Sequence, residues 1–239
     1  PNEEETFMNY ALTPAKQAYL DITGSDEKFP VRRIYCIGKN YTAHVIEMGG
    51  VVERDPPVIF QKPNDAIVRN GGEIPYPVFT NNLHYEGEMV VALKSGGHHI
   101  ATKDASSHIF GYAVGLDMTR RDHQANALEL GLPWEVTKAF DRSAPVGPVT
   151  RVEDCGVLTS GTIRLSVNGK TKQEADMSLM IWKTDEIIAK LSEQYELKAG
   201  DIIMTGTPAG VGAVVSGDVI DVHVDGLEDL RVTIGGPAA

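Results

Sequence analysis

Two glutamates, Glu86 and Glu88, stand one residue apart and directly before an apolar run that ends at Leu93. Residues 85–93 are mostly apolar and alternate poorly, a pattern that indicates a strand buried on both faces. Side chains on a strand repeat every second residue, so both carboxylates should point the same way, roughly 6–7 Å apart. Unpaired charges that face an apolar region are unfavourable. The cost of burying these charges would be offset if protein cations paired with them, if one carboxylate kept its proton, or if a metal ion bound both. If this end of the strand is exposed to solvent, none of these is needed.

A third carboxylate, Asp117, follows the apolar stretch 109–116, which is predicted to be a strand. A helix is predicted over 119–130, with Thr119 as its N-cap and Asp122 at the capping-box position. An acidic residue between a strand and a helix is a common place for a ligand. It is equally common as part of a helix cap, where it favours the helix dipole.

A histidine and a glutamate, His44 and Glu47, lie three residues apart in a segment that is predicted to be a short helix closed by Gly49 and Gly50. Residues at this spacing share one helix face. A carboxylate beside an imidazole orients the ring and raises its basicity. On a surface helix such a pair would have little meaning by itself.

A glycine-rich segment, 200–212, invites comparison with phosphate-binding loops. No Lys-Ser or Lys-Thr follows its glycines, and the next residues are strand-like, so both the nucleotide-binding loop and the dinucleotide fingerprint are excluded. What remains is a turn with free backbone N–H groups and the hydroxyls of Thr205 and Thr207. Such a turn can hold a carboxylate, or it can be only a tight turn in a β-rich fold.

The residue types favour a hard metal ion if any metal is bound. The seven histidines lack the spacing of a catalytic zinc site. Oxygen ligands therefore dominate, and they favour Mg²⁺, Mn²⁺ or Ca²⁺.

The length of 239 residues fits one large domain with a small appendage. We predict an N-terminal extension over 1–30, holding at most one short hairpin, and a single catalytic domain over 31–239. The net charge of -11 argues against a nucleic-acid partner. No apolar run is long enough for a bilayer and no secretory signal pattern opens the chain, so no membrane partner is expected. Two cysteines far apart in sequence indicate free thiols and a cytoplasmic location.

The remaining segments alternate between strand and helix patterns, with strands in the majority. The predicted fold class is α+β with a few short helices. The main predicted elements are strands at 31–38 and 56–63, a hairpin turning at Asn168-Gly169, an amphipathic helix within 178–197 with Ile181, Ile187, Ile188 and Leu191 on its apolar face, and strands between 201 and 234.

Six motifs occur in the order GKNYTAHVIEMG, FQKPNDAI, NLHYEGEMVVAL, GYAVGLDMTRRDHQ, PWEVTKAFDRSAPVGP and IIMTGTPAGVG. Together they strongly resemble the fumarylacetoacetate hydrolase superfamily, of the C-terminal-domain type, over about residues 31–234. Within it the chain is most similar to the small acylpyruvate hydrolases, and its opening resembles fumarylpyruvate hydrolases. The resemblance implies a strand-rich mixed β-sandwich roll and a homodimer.

The resemblance also implies roles for individual residues. The metal would be Mg²⁺, with Mn²⁺ or Ca²⁺ as alternatives. The implied roles are metal ligation by Glu86, Glu88 and Asp117; catalysis by the dyad His44 and Glu47, on a mobile lid, and by Lys138; and substrate binding by Arg121, Gln124, Thr207 and Gly206.

The expected substrate is a small 2-oxo acid of the form R–CO–CH₂–CO–COO⁻. A divalent-metal-dependent hydrolase would cleave its C–C bond through a pyruvate enolate, and fumarylpyruvate, giving fumarate and pyruvate, is the favoured case. Oxaloacetate decarboxylation and 2-oxo acid isomerisation or tautomerisation are alternatives at the same site. A non-catalytic Ca²⁺-binding module is an alternative of another class, in which the dyad would have no use.

Overall fold

The computed structural model describes residues 10–50 and 54–238, so part of the predicted N-terminal extension lies outside the described residues. Its strands are β1 Tyr19–Ile22, β2 Ser25–Pro30, β3 Ile34–Gly38, β4 Val58–Lys62, β5 Ile67–Arg69, β6 Glu73–Tyr76, β7 Leu83–Tyr85, β8 Gly87–Leu93, β9 Ile109–Leu116, β10 Thr119–Arg120, β11 Ala144–Val146, β12 Thr150–Arg151, β13 Thr162–Val167, β14 Lys170–Asp176, β15 Ile202–Met204, β16 Gly212–Ala213, β17 Val219–Val224 and β18 Leu230–Pro237. Its α-helices are α1 Thr42–Glu47, α2 Thr102–Ala105, α3 Arg121–Leu130, α4 Glu135–Lys138, α5 Val152–Cys155 and α6 Thr184–Gln194. Short 3₁₀ turns occupy Asn64–Ala66, Ser106–His108 and Met177–Leu179.

Two large mixed sheets organise the chain. The eight-stranded sheet has the order β4-β3-β15-β8-β9-β11-β5, with β12 paired to β9 off this path. The five-stranded sheet has the order β14-β13-β17-β18-β6. Most neighbours are antiparallel, while β3–β15, β5–β11 and β6–β18 are parallel. The prediction of a strand-rich, mixed α+β fold with few short helices is confirmed.

Strand β8 is buried along its whole length, and its two faces serve two different cores. Met89, Val91 and Leu93 pack in a large cluster with side chains of the five-stranded sheet and of α6; we call this the sandwich core. Val90 and Ala92 pack in a second cluster on the other face, which we call the hairpin core. Because strand side chains alternate, Glu88 points to the hairpin-core side.

The hairpin predicted within 1–30 is present as β1 and β2, which pair antiparallel. Its side chains Leu20, Ile22 and Phe29 are buried in the hairpin core. The hairpin thus covers the face of the eight-stranded sheet that carries Glu88. The division between extension and catalytic domain stays a prediction.

Two predicted element boundaries are wrong for a physical reason. Residues 85–93 do not form one strand, because the chain leaves the small sheet β10-β7-β16 after Tyr85 and enters the eight-stranded sheet at Gly87. Helix α3 begins at Arg121, and Thr119 is not its N-cap. The backbone of Thr119 pairs with β7 instead, and the Thr119 hydroxyl donates to the backbone carbonyl oxygen of Asp117.

Two further details of the predicted helices are corrected. Asp122 does not form a capping box, because its carboxylate accepts from the Thr80 hydroxyl and from the backbone N–H of Asn81 and His123. Ile181 is half-buried and precedes α6, whereas the other predicted apolar positions of that helix are buried.

A buried glutamine, Gln173, joins the five-stranded sheet to the segments that carry the acidic residues. Its side-chain oxygen accepts from the backbone N–H of Gly87, between the two glutamates, at 3.0 Å. Its amide nitrogen donates to the Thr207 hydroxyl at 2.8 Å and to the Pro208 carbonyl at 2.7 Å. A single side chain on β14 therefore fixes both the start of β8 and the glycine-rich turn.

We expect Gln173→Leu to destabilise the protein. The substitution leaves the Gly87 N–H and the Pro208 carbonyl buried without partners, at about 1–3 kcal/mol for each such group, so the free energy of unfolding should fall by about 3 kcal/mol. Urea unfolding measures this. Gln194→Leu, at an exposed position on α6, is the control and should change stability by less than about 0.5 kcal/mol. Equal effects of the two substitutions would contradict the bridging role.

Candidate metal centre

Three carboxylates meet at one end of β8 and β9. Glu86, Glu88 and Asp117 are at most 5% exposed, and each offers an oxygen within 4.8 Å of the others. The strand register explains this: Glu88 lies opposite Gly115, and the backbone N–H of Asp117 donates to the carbonyl of Glu86 at 2.9 Å. Residues that are 31 positions apart in the sequence thus become neighbours.

A buried lysine, Lys138, bridges two of these carboxylates. Its ammonium lies 2.7 Å from Glu86 Oε2, from Asp117 Oδ2 and from the hydroxyl of Thr119, so all three of its protons are donated. Burial alone would lower its pKa, but the carboxylates of Asp117 and Glu86 outweigh burial and raise the pKa. These two carboxylates therefore favour the protonated form of Lys138.

A second buried lysine, Lys62, belongs to the site but was not among the residues predicted from sequence. Its fully buried ammonium lies 2.8 Å from Asp117 Oδ1, an ion pair without the alignment of a hydrogen bond. It also donates to the backbone carbonyls of Met118 and Lys138. The available signal was a lysine at the end of an apolar strand, within the FQKP motif.

The two glutamates are in opposite electrostatic situations. Burial acts to raise the pKa of Glu86, but the cations Lys138 and Arg121 bring it well below its usual range. Glu88 has no ion-pair partner among the described residues, and its Oε2 accepts from the backbone N–H of Gly206 at 2.7 Å. Burial, followed by Asp117 and Glu86, raises its pKa well above the ordinary value.

The residues present fit a divalent cation. Carboxylate oxygens are the ligands that Mg²⁺, Mn²⁺ and Ca²⁺ prefer. Protein cations compensate the charges of Glu86 and Asp117 but leave Glu88 buried without a cationic partner. A bound metal ion would supply the positive charge that Glu88 lacks. Asp117 Oδ1 accepts no hydrogen bond in the described part of the chain and forms an ion pair with Lys62, so it too is an oxygen that a metal ion can take as a ligand.

The first turn of α3 places Arg121 and Gln124 beside the carboxylates. Arg121 donates to Glu86 Oε1 at 2.5 Å, to the side-chain oxygen of Gln124, and to His84 Nδ1 at 3.3 Å. Burial, then the Arg121 charge, lowers the pKa of His84 to about 4, so this ring is neutral. Because Nδ1 accepts from Arg121, Nε2 carries the proton and donates to Asn82 Oδ1.

The predicted dyad is formed on α1. His44 is nearly buried, and its Nδ1 lies 3.1 Å from Glu47 Oε2. The other carboxylate oxygen of Glu47 accepts from the backbone N–H of Gly210 at 2.9 Å. Glu47 therefore orients the imidazole and also ties α1 to the glycine-rich turn.

A cavity of about 250 Å³ joins the dyad to the charged residues. His44, Glu86, Arg121, Gln124 and Lys138 all contribute to its wall. The remaining wall is largely apolar, with Val45, Met48, Phe60, Leu128 and Trp134, and it also includes Lys39. An imidazole, an ammonium and a guanidinium thus face one chamber that can take a small anion with a short carbon chain.

The glycine-rich turn contacts the carboxylate cluster directly. Gly206 has φ +98°, and a Cβ there would lie 2.6 Å from Asn40 Cβ, so only glycine fits this position. The Thr207 hydroxyl donates to the carbonyl of Gly87 at 2.9 Å. Both residues support the segment of Glu86 and Glu88 in this structure, and their predicted contact with substrate stays a prediction.

Asn40 was also missed by sequence reasoning. This buried amide donates to the carbonyls of Thr205 and Trp182 and accepts from the backbone N–H of Trp182. It therefore connects the start of α1, the glycine-rich turn and the segment before α6. Nothing in the local pattern around Asn40 indicates contacts more than 100 residues away.

Comparison with known proteins gives consistent relationships. The family model for the fumarylacetoacetate hydrolase C-terminal domain matches residues 33–235. A fumarylpyruvate hydrolase from Ralstonia sp. is 42% identical over 176 residues, covering 74% of this chain and 91% of that protein. A mitochondrial oxaloacetate tautomerase from Rattus norvegicus is 38% identical over 206 residues, covering 85% and 91%.

Solved structures extend the relationship to three dimensions. The crystal structure of fumarylpyruvate hydrolase from Pseudomonas aeruginosa, in complex with Mn²⁺ and pyruvate, is 46% identical. The match covers 95% of this chain and all of that chain, with a TM-score of 0.94.

Among the described residues of the present chain, no helix has both the length and the apolar character required to cross a membrane.

We expect Glu88→Gln to raise the stability of the metal-free protein and to abolish its stabilisation by metal. The metal-free variant should gain stability near neutral pH, because folding of the wild type there either buries the Glu88 charge or requires Glu88 to take up a proton, while the Gly206 hydrogen bond survives. Metal should no longer stabilise the variant, whereas Mn²⁺ at 100 times its dissociation constant should add about 2.7 kcal/mol to the wild type. Thermal unfolding with Mn²⁺ and with a chelator measures both effects.

The control for this experiment is Glu174→Gln, which removes an exposed carboxylate on β14. It should respond to Mn²⁺ as the wild type does. If Mn²⁺ stabilised Glu88→Gln as much as the wild type, Glu88 would not be a metal ligand.

Proposed function

The chain belongs to the fumarylacetoacetate hydrolase family, and from that premise we propose that it is a divalent-metal-dependent hydrolase of acylpyruvates, with fumarylpyruvate as the favoured substrate. The observation that carries the proposal is a cavity lined by His44, which pairs with Glu47, and by Glu86 of the carboxylate cluster. Hydrolysis of a C–C bond needs an activated water on one side of the substrate and stabilisation of negative charge on the other. A structural Ca²⁺ site would have no use for the dyad.

Glu86, Glu88 and Asp117 would hold the ion, which we propose to be Mg²⁺ or Mn²⁺. When bound, such an ion supplies Lewis-acid stabilisation of the negative charge that develops on the 2-oxo acid part of the substrate. The Pseudomonas aeruginosa relative contains Mn²⁺ and pyruvate. That relative supports a metal centre for a 2-oxo acid.

The chain's own residues provide the remaining steps. Arg121 and Gln124 bind a substrate carboxylate, since both line the cavity. His44, oriented by Glu47, takes a proton from a water molecule that attacks the carbonyl remote from the carboxylate. The C–C bond then breaks, the acyl group leaves as an acid, and the proton held by His44 returns to the CH₂ carbon of the pyruvate enolate. Lys138, fixed as a cation, stabilises the developing negative charge.

Oxaloacetate tautomerisation is a second candidate, supported by the relatives of that name from Rattus norvegicus and Escherichia coli. It needs only the transfer of a proton between the carbon beside the carbonyl and the carbonyl oxygen. His44 could move this proton without a water molecule. Decarboxylation of oxaloacetate would leave the same enolate and needs no base at all. Assays of fumarylpyruvate, acetylpyruvate and oxaloacetate, with and without Mg²⁺, separate these activities.

We expect His44→Ala to separate hydrolysis from decarboxylation. Loss of a general base costs on the order of 100- to 10,000-fold in rate, so kcat/KM for fumarylpyruvate should fall by that factor. Decarboxylation of oxaloacetate should fall much less, because charge stabilisation alone drives it. Metal affinity should stay nearly unchanged. His98→Ala, at an exposed position, is the control.

Equal losses on the two substrates would argue against His44 as the base. The imidazole would then serve binding or closure of α1.

We also propose that the protein is a homodimer. The family resemblance supports this, and so does a group of exposed apolar side chains on and after α3, namely Leu128, Leu130, Leu132 and Val136. Groups of exposed apolar side chains are found on surfaces that another protein covers. Light scattering at micromolar concentration should give about 52 kDa, twice the 25.9 kDa chain. The mass of a single chain would rule the dimer out.

A further inference from the structure

A second cavity, of about 420 Å³, lies on the side of the eight-stranded sheet opposite to Glu88. Ile109 and Tyr112 reach it from β9, and both belong to the sandwich core, whereas Glu88 points to the hairpin-core side. The two cavities share no lining residue within the described parts of the chain. The second cavity therefore belongs to a different site from the carboxylate cluster.

Two hydroxyls in this wall lack hydrogen-bond acceptors. Tyr112 is fully buried, and the backbone N–H of Leu158 approaches its oxygen, but no described atom accepts its proton. Burial raises the pKa of Tyr112 to about 12, so the hydroxyl stays protonated near neutral pH. Thr184 Oγ1 is also shielded from solvent, and it has no hydrogen-bond partner among residues 10–50 and 54–238. Buried hydroxyls normally have partners, so both side chains are donors that a bound group could satisfy.

The surroundings of these hydroxyls favour negative charge. Thr184 is the first residue of the 11-residue helix α6, whose N-terminus carries partial positive charge. Lys103 adds a full positive charge at the cavity wall. Lys183 is committed to the carbonyls of Ser178 and Met180. Asp185 opposes this positive charge, but its carboxylate accepts from the backbone N–H of Glu186.

The rest of the wall is mainly apolar, with Ile109, Val157, Leu158 and Met180, and it also includes the small polar residues Thr102, Ser106 and Thr159. We propose that this cavity binds a small carboxylic acid with an apolar body. The carboxylate would lie beside Lys103 and the N-terminus of α6, and it would accept from the Tyr112 and Thr184 hydroxyls once the side chains that shield them move aside. The apolar body would contact the aliphatic side chains. Such a division between a few placed donors and an apolar wall is typical of small-molecule sites.

The test is a ¹⁹F NMR titration of the metal-loaded full-length chain with 4-fluorobenzoate, a rigid carboxylate with an apolar ring. We expect saturable binding. Tyr112→Phe and Lys103→Met should each weaken it at least fivefold, and 4-fluorobenzamide, a neutral molecule of the same shape, should bind at least tenfold more weakly. Lys190→Met, which removes an exposed lysine further along α6, should leave binding unchanged.

Val157→Trp provides a further variant, because Val157 is exposed at the cavity rim and a larger ring there should block entry. Thermal unfolding checks that each variant is folded; Lys103 and Val157 are exposed, so their variants are expected to fold even if Tyr112→Phe does not. Absence of saturable binding would mean that the cavity holds only water and would overturn the proposal. Equal binding of the benzamide, or binding that survives both Lys103→Met and Val157→Trp, would also overturn it.

Discussion

The burial of three carboxylates at one end of a sheet is the constraint on which the rest of the site depends. Carboxylates in an apolar environment need compensating charge or hydrogen bonds. The protein places three buried or nearly buried cations beside the carboxylates, namely Lys62, Lys138 and Arg121. These cations satisfy Glu86 and Asp117 and leave Glu88 with one backbone hydrogen bond. Negative charge therefore exceeds positive charge only around Glu88. A divalent ion bound by the three carboxylates would supply the missing positive charge.

The fold holds this arrangement by linking elements that are distant in sequence. The change of sheet between β7 and β8 places Glu86 at a junction, where it faces α3 and α4 as well as β9. Gln173 then fixes Gly87 from the five-stranded sheet, and Gly206 fixes Glu88 from the glycine-rich turn. Preorganisation of this kind matters because a charged site works only if its groups are already positioned before substrate arrives.

Local patterns in the sequence predicted much of this framework. The apolar strand 109–116 and the hairpin at Asn168-Gly169 follow from short-range rules of burial and turn geometry, and both are present. The ordered motifs placed the three carboxylates and Lys138 among the site residues. Lys62, Gln173 and Asn40 could not be assigned in this way, because their partners lie more than 30 residues away. Thr119 shows the same limit, since a long-range strand pair replaced the predicted helix cap.

Acylpyruvate hydrolysis and oxaloacetate tautomerisation place different requirements on α1 but the same requirement on the carboxylate cluster. Both need stabilised negative charge on a 2-oxo acid, which the cluster and its cations can supply. Only hydrolysis needs a water molecule held against His44 and the remote carbonyl. Helix α1 has six residues and is held by the Glu47–Gly210 hydrogen bond and by the bridge between Tyr41 and Met180. Asn40 adds three hydrogen bonds at the start of this helix, so the position of His44 depends on the glycine-rich turn and on the segment before α6. Differences in reaction among similar chains are then expected to reside in this short helix and its contacts.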